Sequence, residues 1–192
     1  MPSDSGTVLG FDTSGGWIAA AVIGGGRTLA HRHLSMPRGQ GEALLPFLAE
    51  VLTEADRAWS DLAAIGVGTG PGNFTGIRIS VACARGLALS LGIPAIGVST
   101  FDAIHHAHPD ALAAVPAPRD HVYLCAPQGR PRHMPLSEVS GVPVYAPPPA
   151  ALAVAIAAVA AGRSAPFAAP APMYIKPADA APSRDVPPVM LP

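Results

Sequence analysis

The chain has 192 residues, of which 49% are hydrophobic, 5% aromatic and 13% charged, with a net charge of −1. That length suits one large domain or two small ones, and its many alanines imply a core built from small pieces. The near-neutral balance excludes an electrostatic footprint for independent nucleic-acid binding, and the thin charge leaves a weakly polar surface that a partner can cover.

Residues 1–5 lack a basic segment followed by an apolar one, so no signal peptide is expected. The most apolar late stretch, residues 150–161, is too short to span a bilayer, and the expected location is the cytoplasm. Only five of 23 prolines precede residue 109, which divides the chain into a regular part, 1–108, and an irregular, proline-rich part, 109–192.

In chain order, residues 8–12, 17–23 and 27–33 read as three short strands, and Gly24-Gly25-Gly26 favours an antiparallel hairpin. A helix follows over 39–55, then a strand over 63–67, a glycine loop, and a second helix over 75–91. Gly92 closes that helix and Pro94 lies just beyond. A strand over 95–98 leads to a short helix over 99–106, which Ser99 or Thr100 can cap. This order predicts an α/β layer fold, a meander joined to parallel crossovers. Beyond residue 108, strands over 121–126 and 130–134 pair around Gln128-Gly129. A strand over 142–145, a helix over 149–161, an edge strand over 173–175 and an aperiodic tail after Lys176 complete the reading.

Both long helices carry more apolar surface than one sheet can cover. In the second, Ile77, Val81, Ala84, Ala88 and Leu91 form one seam, while Ile79, Ala82, Gly86 and Leu89 form another. In the first, Leu44, Leu45, Phe47, Leu48, Val51 and Leu52 occupy more than half the circumference. The partner interface is assigned to Leu44, Leu45, Leu48, Val51, Ile77, Val81, Ala84 and Ala88, with Arg78 and Arg85 along one edge; burial of both stripes within one monomer, between the sheet and a second domain, is the alternative.

Gly68-Thr69-Gly70-Pro71-Gly72-Asn73-Phe74-Thr75-Gly76 has the make-up of a ligand loop, since four glycines allow close backbone approach. It nevertheless lacks the lysine of a phosphate-cradling nucleotidase and is not a G-x-G-x-x-G. Asp12, Thr13 and Ser14 end the first strand, where a carboxylate can hold a metal and two hydroxyls can donate to phosphate; an ordinary capped turn is the alternative. Asp12, Thr13, Ser14, Gly70, Gly72 and Asn73 make up the candidate nucleotide-facing loop. His105, His106 and His108 cluster without the ligand number a zinc site needs, so no metal site is expected. Cys83 and Cys125 fall outside any C-x-x-C spacing, and no G-x-S-x-G nucleophile elbow occurs. No catalytic residue is assigned.

Phe11-Asp12-Thr13-Ser14, Pro37-Arg38-Gly39 through Leu44-Leu45-Pro46, Gly70 through Arg78, Gly86-Leu87-Ala88 and Ile93-Pro94 to Gly97-Val98-Ser99 closely resemble the TsaB (YeaZ) family. These are the small non-catalytic paralogues of TsaD in bacterial tRNA threonylcarbamoyladenosine synthesis. The resemblance is dense over residues 7–104 and resumes at Pro172-Met173-Tyr174-Ile175-Lys176. It implies the actin/hexokinase-like ATPase fold, a pair of ribonuclease-H-like halves, here with a shortened second half. It also implies a homodimer in isolation, a dimer bundle made by the first two helices, and pairing with TsaD and with TsaE. Threonylcarbamoyl transfer to N6 of adenosine 37 in tRNAs reading ANN codons would then proceed with tRNA met only through the complex. ATP or ADP, where used, would sit at the complex interface. Where TsaD carries a metal-binding His-x-x-x-His, this chain has Thr100 and Ile104, and where the family commonly has a histidine after Arg38-Gly39 it has Gln40. The competing reading is a free-standing ATP-binding or peptidase-like enzyme of the same fold.

Overall fold

A computed structural model describes residues 6–175. The tail after Lys176 and the first five residues lie outside them.

Three antiparallel strands, β1 (Thr7–Asp12), β2 (Trp17–Gly24) and β3 (Arg27–Ser35), open the chain. Helix α1 (Gln40–Glu54) leads to β4 (Leu62–Gly68), α2 (Phe74–Leu91), β5 (Ala95–Val98) and α3 (Thr100–Ala107). The sheet order is β3-β2-β1-β4-β5, with β4 parallel to both β1 and β5. This is the ribonuclease-H-like arrangement that a meander followed by two parallel crossovers produces.

Side chains alternate across the sheet. Leu9, Phe11, Ile65 and Val67 meet α1 and α2, forming the largest core with Leu44, Leu48, Val51, Ile77 and Val81. On the other face Val8, Ala64, Ile96 and Val98 meet α3 and α4 (Pro149–Gly162). Although α4 belongs to the late, proline-rich part of the sequence, it packs on the first sheet. Its alanines let it sit almost on the strand backbone: a Cβ at Gly10 would lie 2.6 Å from Ala157 N and 2.8 Å from Ala153 O. Among the described residues, α2 alone is long and apolar enough to cross a bilayer. Here its inner side, from Gly76 to Ala88, is buried against the sheet, which makes it a core helix.

The second sheet comprises β6 (Ala113–Ala117), β7 (His121–Cys125), β8 (Arg132–Pro135) and β9 (Val144–Tyr145), in the order β8-β7-β6-β9. It repeats a meander with one parallel neighbour, a trimmed copy of the first half. Strand β6 is absent from the sequence reading, because it is short, alanine-rich and contains Pro116. That proline is tolerated because β9 pairs only with Ala113 and Ala114, leaving β6 without a neighbour on that side at residue 116. The edge strand expected over 173–175 does not form. Residues 163–175 cross the open edge of β5 without a ladder; Met173 N donates to Thr69 O (2.8 Å), and Pro166, Pro170 and Pro172 cannot donate. Arg163 anchors this strap by donating to Gly97 O and by an ion pair with Asp102 (3.0 Å).

Candidate functional site

Asp12, Thr13, Ser14, Gly70, Gly72 and Asn73 do converge. Asp12 stands buried at the tip of β1, and its Oδ2 accepts from Ser14 N (2.9 Å), Ser14 Oγ (2.8 Å) and Trp17 Nε1 (3.1 Å). Its Oδ1 is enclosed against Gly68 without a hydrogen-bond partner, in space that a Cβ at Gly68 would overlap. Burial pushes the Asp12 carboxyl above the usual carboxylate range, opposed by the hydrogen bonds from Ser14 and Trp17.

The glycine loop folds onto this turn. Asn73 N donates to Ser14 O (2.6 Å) and Thr13 Oγ1 to Gly76 O (2.6 Å). Asn73 Oδ1 caps α2 by accepting from Gly76 N (2.9 Å). A side chain at Gly72 or Gly76 would run into the carbonyl oxygens of Ser14 and Thr13 respectively. The close approach that the glycines permit is thus between two loops of the same chain. The hydroxyls of Thr13 and Ser14 and the amide N–H of Asn73, which an anion would need, are donated internally.

Gln40, to which the sequence reading gave no role, closes the assembly. It is buried in the first turn of α1, and its Nε2 donates to Gly15 O (2.8 Å) and Trp17 O (2.6 Å). A long amide can serve two carbonyls at once. A polar residue at the start of a helix beside a glycine turn was the available signal.

Between this assembly and the β6–β7 turn lies a cleft of about 740 Å³. Trp17, Phe74, Tyr123, Val115, Pro116 and Leu152 line it, with Ser14, Asn73 and Thr100 as polar groups; no charged side chain lines it among the described residues. Thr100 is buried there and Ile104 lies in the apolar cluster with Phe101, Ala113 and Val115. His105 hydrogen-bonds Ala111 O through Nε2 (3.1 Å). Among the described residues no three His, Cys, Asp or Glu side chains are grouped to hold a metal.

The interface assignment requires correction. Leu44, Leu48, Val51, Ile77, Val81, Ala84 and Ala88 are all buried within this chain, because their seam is the one that faces the sheet. Leu45, Arg78 and Arg85 do face outward. The outward apolar surface is the other stripe of α2: Leu89 is 86% exposed, Ala82 and Gly86 are exposed, and Ile79 and Cys83 are half-buried. Ile79, Cys83 and Gly86 of this stripe, with Gly41 and Leu45 (49% exposed) from α1, border a furrow of about 300 Å³ between the helices, and Leu89 lies beside it on α2. Burial raises the Cys83 thiol to about 11, so it stays neutral and adds apolar surface. A Cβ at Gly86 would meet nothing within 4 Å. An exposed glycine in mid-helix weakens the helix, so this open space is unexplained by the isolated chain.

The family of TsaD, tRNA N6-adenosine threonylcarbamoyltransferase, matches residues 36–132, just over half of the chain. The Escherichia coli tRNA threonylcarbamoyladenosine biosynthesis protein TsaB is 39% identical over 93 residues, covering 48% of this chain and 40% of that protein. The Bacillus subtilis TsaB is 33% identical over 98 residues, 51% of this chain and 43% of the relative. The matches therefore span less than half the length of those two relatives. Among solved structures, a Pseudomonas aeruginosa protein described as similar to peptidase YEAZ superposes with a TM-score of 0.67 at 25% identity. It covers 89% of this chain and 100% of its own. YeaZ from the same organism gives 0.65 at 25% identity, over 80% and 91%.

Proposed function

The chain belongs to the TsaD family, and from that premise we propose that it is a TsaB-like, non-catalytic subunit of tRNA threonylcarbamoyladenosine biosynthesis. It pairs with itself when alone, and with a TsaD-type partner and TsaE when the modification is made. Transfer of the threonylcarbamoyl group to adenosine 37 is the partner's chemistry, and tRNA is met only through the complex. Any ATP or ADP is held between subunits, and the cytoplasm is the proposed site of action.

The observation that carries this reading is the apolar α1–α2 face with Leu45, Leu89 and the vacant surface over Gly86. Covering one leucine contributes roughly 1.5–3 kcal/mol. Several such groups around a furrow support association even after orientational entropy is charged. The internally closed loop at Asp12 supports the other half of the reading, that this chain lends surface and not chemistry.

Reconstitution with TsaD, TsaE and a threonylcarbamoyl donor tests it. Modified nucleoside is expected in tRNA only when this chain is added, and none with this chain alone. Equal modification without it, or transfer by it alone, would sink the proposal.

A further inference from the structure

The fold family implies a nucleotide and its divalent cation in the cleft between the halves, and the residues present do not fit them. Asp12 has one oxygen engaged by three donors and the other walled in by Gly68. The Trp17 ring occupies the space over Gly15 where a phosphate would approach the turn, its Cη2, Cζ3 and Cε3 filling the place of a Cβ. Asn73 N and Thr13 Oγ1 already donate to Ser14 O and Gly76 O. No cationic side chain among the described residues lines the cleft to offset a triphosphate, whose desolvation would go uncompensated.

The cleft is still large and formed. Its volume of about 740 Å³ falls within the range of small-molecule sites, and its walls carry three aromatic side chains. Thr100 is only 4% exposed and lines the cleft, yet its hydroxyl makes no hydrogen bond to a described residue. The Asn73 side-chain amine is likewise unengaged, because that side chain caps α2 through its oxygen. Trp17 is fixed by its bond to Asp12, so one aromatic wall is preorganised.

We propose that this cleft binds an uncharged planar ring compound of up to nucleoside size, held by Trp17, Phe74 and Tyr123 with Thr100 and Asn73 as neutral hydrogen-bonding groups. Aromatic walls bind ring faces, and neutral donors and acceptors recognise ring-edge or hydroxyl groups without demanding charge. The inference stands apart from the pairing role, which uses the opposite face of the first sheet.

Adenosine, AMP and Mg-ATP offer one ring at three charges, and their binding to the full chain is read by calorimetry and Trp fluorescence. Adenosine is expected to bind, AMP at least tenfold more weakly, and Mg-ATP more weakly still. Tyr123→Ala should weaken adenosine about tenfold while Tyr123→Phe retains it, with melting temperature monitored for each. Ala117→Trp, which fills the cleft from the end of β6, provides a second variant and should also abolish binding. Affinity that rises with each phosphate overturns the proposal. So does a natively melting chain that binds no adenosine, or one that binds it equally with the cleft filled.

Discussion

In the cleft loops, Gly72 and Gly76 press against the carbonyl oxygens of Ser14 and Thr13, whereas Gly86 in the middle of α2 faces open space. The residue type is the same and so is the backbone freedom; the neighbours differ. Where the chain itself supplies the close neighbour, glycine serves the fold, and the loop that looks like a ligand cradle is a clasp between β1 and α2. Where the chain supplies none, the glycine is a standing cost of about 0.5–1 kcal/mol relative to alanine unless another molecule covers it. Apolar surface divides in the same way: the Ile77–Val81–Ala84–Ala88 seam is consumed by the sheet, and the Leu89 stripe is left over.

The largest effect expected breaks the inner seam. Val81→Glu puts a carboxylate into a site that is 4% exposed among apolar neighbours, and should lose more than about 4 kcal/mol. Urea denaturation should find the variant largely unfolded; a native midpoint would mean the seam faces outward after all.

Next comes the clasp. Gly76→Ala drives a methyl into Thr13 O, which is backbone and cannot swing away, so a loss of about 3 kcal/mol is expected in the same assay. A change below about 1 kcal/mol would show that the β1–β2 turn and α2 are not tightly joined.

Smaller again is Gln40→Leu, which strips Gly15 O and Trp17 O of their shared donor and should lose about 2 kcal/mol. Its Trp17 fluorescence should shift as the indole environment loosens, and an unaltered spectrum with unaltered stability would remove Gln40 from the clasp.

The smallest effect has the opposite sign. Gly86→Ala should raise the monomer's stability by about 0.5–1 kcal/mol, since the methyl meets nothing, while weakening association. A stabilised chain that associates as before would leave the open space without a role.

Much of the first half was legible because its punctuation is strong. Gly24-Gly25-Gly26 closes a hairpin, and Gly92 ends α2 in the left-handed conformation at φ 68°. The second half was harder: β6 hides among alanines with a proline inside it, and α4, apolar on every side, gives no periodicity to say which sheet it covers. Two apolar stripes on α2 could be counted but not oriented by period alone. Charge carried the missing direction. Arg78 and Arg85 share a face with Ala82 and Leu89 at spacings of four and seven residues, and a face bearing two arginines does not enter an aliphatic core. The clasp itself was not readable, because its contacts join residues 13–14 to 73–76 through backbone atoms that no side-chain pattern reports.

The most direct measurement is the solution mass of the chain mixed with a TsaD-type partner, by light scattering, for the wild type and for Leu89→Glu. Leu89 contributes almost nothing to the isolated fold, so the variant should melt as the wild type does and elute apart from the partner. A Leu89→Glu chain that still forms the full-mass complex would contradict the assignment of this helical face to pairing.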